Sequence, residues 1–131
     1  MQAEVELILL RQLATYLNLP MFLIGMDGEL LFYNEPAGAL LGRPFEEGAR
    51  GEMGLETLSQ AFGTVDESGK AVSTDELPIA IALRQRRPAH RRITFRSLNG
   101  VERTIETTAF PIDGLAGRQL GAVAIFWEAE A

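Results

Sequence analysis

The sequence predicts an α+β domain: five strands forming an antiparallel sheet, with helices gathered over one face. Three observations carry that expectation. Two strong hairpin signals, Asp27-Gly28 and Asn99-Gly100, each join a pair of strand-like segments. A long stretch with helical signals separates the first two strands from the last three, so that crossover is the one long connection. The 131 residues, 47% hydrophobic and 23% charged, suit one compact core that folds unaided.

The first element is a helix over 3–17. Val5, Ile8, Leu9, Gln12, Leu13, Tyr16 and Leu17 fall on one helical stripe, and Leu7, Leu10 and Ala14 broaden it. The stripe is wider than one small sheet requires. Two readings follow: the helix caps the core, or it caps the core and also pairs with its copy in a second subunit. Residues 1–18 are accordingly set apart from the body of the domain, 19–131.

Pro20 ends the helix, because its ring disfavours the α region for the residue before it. A mostly apolar strand over 21–26 follows, and 29–33 returns antiparallel through the Asp27-Gly28 turn. Asn34 is a good N-cap for a short helix over 35–41, which Gly42 and Arg43-Pro44 close. Over 45–69 five glycines punctuate short helical fragments around 55–62 and a turn at 67–69, and this is expected to be the most mobile region. Ser73 and Glu76 make a capping box for a helix over 74–86, with Pro78 tolerated in its first turn. Its Leu77, Ala80, Ile81, Ala82 and Leu83 are expected to face the core.

Three strands then follow, over 91–98, 101–112 and 119–128. In the first, Ile93 and Phe95 alternate with Arg92, Thr94 and Arg96, the pattern of a half-buried strand. The last is apolar on both faces, which places it in the middle of the sheet and demands a cover on its outer side. The N-terminal helix is the available cover.

Composition narrows the function. A net charge of −6 repels phosphate backbones and anionic lipid, so neither nucleic acid nor a membrane is an expected partner. The absence of cysteine removes disulfides, thiolate nucleophiles, cysteine-based zinc sites and a cysteinyl flavin adduct. No signal peptide with a basic n-region and no run near the ~20 apolar residues of a membrane span is present. A cytoplasmic location is expected.

With these elements placed, the chain resembles the PAS domain family from about Leu13 to Glu128. The residues that carry the resemblance are the Asp27-Gly28 turn, Tyr33-Asn34, Leu40-Leu41-Gly42, Asn99-Gly100, Ala109-Phe110-Pro111-Ile112, and Gly117 to Gly121 leading into Ala122-Val123-Ala124-Ile125-Phe126. The resemblance implies a sheet in the order 2-1-5-4-3 and an apolar pocket between sheet and helices. It also implies a sensory role in signal transduction, of the kind found in two-component or transcription regulation, with a homodimer and an output domain or partner protein. Members of the family continue into an Asp-Ile-Thr-like exit and a linker helix, whereas here the sequence reads Trp127-Glu128-Ala129-Glu130-Ala131. Either a free-standing domain or one taken from a larger protein fits that departure.

The expected pocket draws on Phe22, Ile24, Phe32, Leu41, Phe62, Leu77, Ile81, Phe95, Ile105 and Val123, with Tyr33, Asn34, Thr94 and Thr107 as polar contributors. All of these can equally be plain core, and a ligand would need a cavity of roughly 300 Å³ or more. The expected dimer surface combines Val5, Ile8, Leu9, Leu13 and Tyr16 with Phe126 and Trp127 on the exposed sheet face. Heme is not expected, because heme-binding relatives commonly take their axial histidine from the helix before the third strand. The one histidine, His90, follows that helix in a loop. Covalent flavin is excluded by the missing cysteine.

Seven of the twelve basic residues lie between Arg84 and Arg103. They read first as a solvated cluster matched to a helix C-terminus, and second as a site for an acidic partner or an anionic head group. No nucleophile elbow, phosphate loop or metal-spaced histidine pair is present, and the acidic pairs Glu46-Glu47, Asp66-Glu67 and Asp75-Glu76 suit loops and a helix start. The chain is therefore read as a non-enzymatic sensory domain that binds a small apolar or amphipathic ligand and signals through a homodimer. The alternative is a ligand-free interaction module with a packed core.

Overall fold

The structure, a computed structural model, describes residues 5–46 and 62–129. In chain order the elements are helix α1 (Val5–Tyr16), strands β1 (Met21–Gly25) and β2 (Leu30–Tyr33), helix α2 (Glu35–Leu41), helix α3 (Pro78–Gln85), and strands β3 (Ala89–Arg96), β4 (Glu102–Asp113) and β5 (Gln119–Glu128). The helical fragments expected around 55–62 lie outside the described residues, Phe62 apart, and so does most of the region expected to be mobile. None of the described helices is long and apolar enough to cross a membrane.

The five strands form one antiparallel sheet in the order β2-β1-β5-β4-β3, with β5 in the middle. Its two faces carry separate apolar clusters. On the inner face Phe22, Ile24, Leu30, Tyr33, Phe95, Ile105, Ala122, Ala124 and Phe126 pack under α2 and α3. On the outer face Met21, Leu23, Ile112, Leu120 and Val123 pack against Leu7, Leu10, Ala14 and Leu17 of the N-terminal segment. The cover demanded by β5 is therefore α1. The spacing of three, four and three residues puts those four side chains on one helix face. At about 1.5–3 kcal/mol for each fully buried large side chain, both clusters are needed to offset the entropy of ordering the chain.

Side-chain direction corrects four of the apolar assignments. Adjacent strand residues point to opposite faces, so Phe32 and Tyr33 cannot both face inward. Tyr33 pairs across the sheet with Phe22 and stacks on it, whereas Phe32 pairs with Leu23 on the outer face. Along β5, Val123 belongs to the outer cluster and Phe126 to the inner one, the reverse of the expected assignment. Ile81 is the fourth: it stays half-buried on α3, and Ile79 takes the inward position.

The helix expected over 74–86 is two pieces. The Ser73/Glu76 capping box is present, but it starts only a 3-10 turn, Thr74–Glu76. Leu77 is extended (φ −69°, ψ 139°), because Pro78 behind it disfavours the α conformation, and α3 begins at the proline itself. The third strand also starts earlier than expected, at Ala89, which places His90 in the strand and not in a loop. At the free edge of β3, Val65 and Thr94 exchange two backbone hydrogen bonds of 2.9 Å. That pairing blunts an edge otherwise open to other chains.

Candidate ligand cavity and the Asn34 clasp

Between the inner face of the sheet and α3 lies a cavity of about 110 Å³. Its floor comes from Phe22 on β1, Ile93 and Phe95 on β3, Ile105 and Thr107 on β4, and Ala124 and Phe126 on β5. Leu77, Pro78 and Ile79 roof it, and Leu41, Phe62 and Thr64 close its sides. Phe62 meets Phe95 edge to face, with ring centroids 5.4 Å apart.

Of the residues expected to line the pocket, Phe22, Leu41, Phe62, Leu77, Phe95, Ile105 and Thr107 do so. Ile24 is fully buried core beside it, and Ile81, Phe32 and Val123 stand away from it as described above. Thr94 lies on the other face, its hydroxyl 2.8 Å from that of Thr104. Pro78, Ile79, Ala124, Phe126 and Thr64 are added by the structure. Ile93 could have been found from its alternation with Phe95.

Two threonines are the only polar side chains on the described wall. The Thr64 hydroxyl donates to the Val72 carbonyl at 3.3 Å. Thr107, 6% exposed, is the other.

Asn34 and Tyr33, expected as polar pocket groups, turn away into structural roles. The Asn34 Oδ1 accepts from Ala37 N (3.1 Å) as N-cap of α2 and from Met21 N (3.0 Å) at the start of β1. Its Nδ2 donates to the Ala14 carbonyl (2.9 Å) near the end of α1 and to the Leu19 carbonyl (2.8 Å). One amide thus uses both its oxygen and its nitrogen to fasten three elements together. Tyr33 Oη donates to the Arg43 carbonyl at 2.7 Å, and burial holds its phenol above the usual pKa, keeping it a neutral donor.

The other face of α1 has no cover among the described residues. Val5, Ile8, Leu9, Leu13 and Tyr16 are all exposed, Tyr16 to 87%. Leu9 and Leu13 border a groove with Phe110, and Trp127 is 39% exposed on the sheet beyond. Among the expected dimer residues only Phe126 is buried, for the reason of parity.

The arginine cluster is largely engaged within the chain. Arg84 pairs with Asp75, Arg86 with Asp113 (3.5 Å), Arg91 with Glu76 (3.7 Å) and Asp66 (3.9 Å), and Arg92 with Glu106 (2.9 Å). Glu106 also accepts from His90 at 2.9 Å. The hydrogen bond from Arg92, then that from His90, holds the Glu106 carboxyl below the usual glutamate pKa. Among the described residues no group of three or more acidic, histidine or cysteine side chains could hold a metal ion.

No model of a known protein family matches the chain, and no curated protein sequence does. Solved structures do match. The PAS domain of BvgS from Bordetella pertussis superposes with a TM-score of 0.68 at 14% identity, over 96% of this chain and 88% of that one. The PAS domain of nitrogen regulation protein NR(II) from Vibrio parahaemolyticus gives 0.62 at 16%, over 92% and 98%. The phage VqmA–DPO complex gives 0.65 at 16%, over 93% and 52%. At these identities the likeness establishes the fold, including the strand order and the helical cover that the sequence led us to expect.

Proposed function

Taking the PAS fold as premise, we propose that this chain is a sensory domain that holds a small apolar or amphipathic molecule between sheet and α3 and signals through a homodimer made by α1. The observation that carries the reading is the apolar cavity with the hydroxyl-bearing Thr107 on its described wall. Fold alone does not assign function, so the reading rests on that site. The phage VqmA–DPO complex, a complex on the same fold, lends support by analogy.

The signal would travel by a population shift. Leu41 of α2 lines the cavity, the N-cap of α2 is Asn34, and Asn34 holds the end of α1. A ligand that favours one seating of α2 biases α1, and α1 presents the exposed apolar ridge on which a second copy docks. A two-fold contact suits a ridge of this kind, since each copy offers the same surface. The change would pass to an output domain or partner protein, in two-component or transcription regulation. The reading assigns no catalytic role, and a cytoplasmic site of action fits a sequence without cysteine.

Heme and flavin do not fit the described residues. The cavity is well under the ~300 Å³ at the low end of ligand pockets, and its described wall offers no histidine. A second reading, a ligand-free interaction module with a packed core, is favoured by that same small volume. Sedimentation equilibrium separates the two, comparing protein as purified with protein unfolded and refolded free of small molecules. The sensory reading expects the dimer dissociation constant to change on stripping, because ligand and dimer are linked. An unchanged constant supports the packed module.

A further inference from the structure

We propose that the cavity takes a neutral, single-ring compound of the phenol class, whose one polar substituent hydrogen-bonds to Thr107. This rests on the sensory reading above and narrows it to a ligand class. Size is the first argument. An apolar cavity of about 150 Å³ accommodates benzene, so one of about 110 Å³ is limited to roughly a single six-membered ring.

The wall is the second. Phe22, Phe62, Phe95 and Phe126 all contribute to it, and aromatic surfaces favour an aromatic guest through edge-to-face and offset contacts. Charge is the third. No charged side chain lies on the described wall, and an ion placed there would be desolvated without compensation. Polarity is the fourth. Thr64 already donates to the Val72 carbonyl, so the Thr107 hydroxyl is the remaining anchor, and it can donate or accept.

Isothermal titration of the full chain with phenol, toluene and benzoate tests the proposal. Phenol is expected to bind about fivefold more tightly than toluene, the value of one net neutral hydrogen bond, and benzoate not at all. Thr107→Val should bring phenol down to the toluene level and leave toluene unchanged, while Thr107→Ser restores the preference. Ala124→Leu, which fills the cavity, should abolish both. Equal binding of phenol and toluene, binding of benzoate, or binding that survives Ala124→Leu overturns the assignment. If none of the three binds yet the purified protein carries some other molecule, the ring class fails and the sensory reading stands. If none binds and nothing is carried, both fail.

Discussion

The side-chain amide of Asn34 donates to the backbone carbonyl of Ala14 at 2.9 Å, across twenty residues and two faces of the sheet. Ala14 is the most buried residue of α1, and Asn34 caps α2 on the opposite side. The bond therefore joins the helix on the outer face to the helices that close over the inner face. A second link runs from Phe32, against the outer cluster, to Phe45, against the inner one, with ring centroids 5.2 Å apart.

Asn34→Ala removes the cap and leaves Met21 N, Ala14 O and Leu19 O without their partner. The expected loss is about 3 kcal/mol in urea denaturation, above the ~1 kcal/mol of an ordinary N-cap. Asn34→Asp keeps the two accepted bonds but turns a carboxylate oxygen toward two carbonyls, so it should lose most of the same stability. A cost under about 1 kcal/mol for the alanine variant would mean the clasp does not hold the helices.

Leu9→Glu combined with Leu13→Glu should leave the monomer's stability within about 0.5 kcal/mol of wild type, since both side chains are exposed. Light scattering should show the homodimer lost. A dimer that persists would locate the contact elsewhere.

Acid should weaken the β3–β4 edge. The Glu106 carboxyl lies below its usual pKa through Arg92 and His90, so its contribution is present above the unfolded-state value and is lost as pH falls through the folded one. The melting-temperature advantage of wild type over Glu106→Gln should hold near neutrality and shrink below about pH 4. An advantage undiminished down to about pH 3 would contradict the pairing.

Gly121→Ala should be far worse than Gly100→Ala. A Cβ at Gly121 would lie 2.1 Å from the Ile24 carbonyl oxygen in the β1–β5 pair, whereas at Gly100 it meets only open space. The first is expected to cost about 3 kcal/mol and the second about 1 kcal/mol, the strain of its positive φ (86°) alone. Chemical denaturation of both variants checks the ranking.

What could be read from sequence was local. The Asp27-Gly28 and Asn99-Gly100 turns, Asn34 and Gly42 around α2, and the doubly apolar β5 each announce their role within a few residues, whereas the full strand order came from the resemblance to PAS domains. What could not be read was side-chain direction wherever both faces are apolar. In β5, Val123 and Phe126 are equally hydrophobic, so only the register with β4, which sets Phe126 opposite Thr107, decides which looks into the cavity. Along α1, apolar residues surround the cylinder, and the sheet selects Leu7, Leu10 and Ala14 over Val5, Leu9 and Leu13. Asn34 was legible as a cap, but its bonds to Ala14 and Leu19 depend on where α1 lies. The pocket's small volume likewise depends on how the side chains meet.

Native mass spectrometry of the full chain as purified addresses the ligand claim most directly. A homodimer carrying the mass of a small organic molecule, absent from Ala124→Leu, is the expected result. Bare monomer, with the same bound mass of zero in both proteins, would contradict the account.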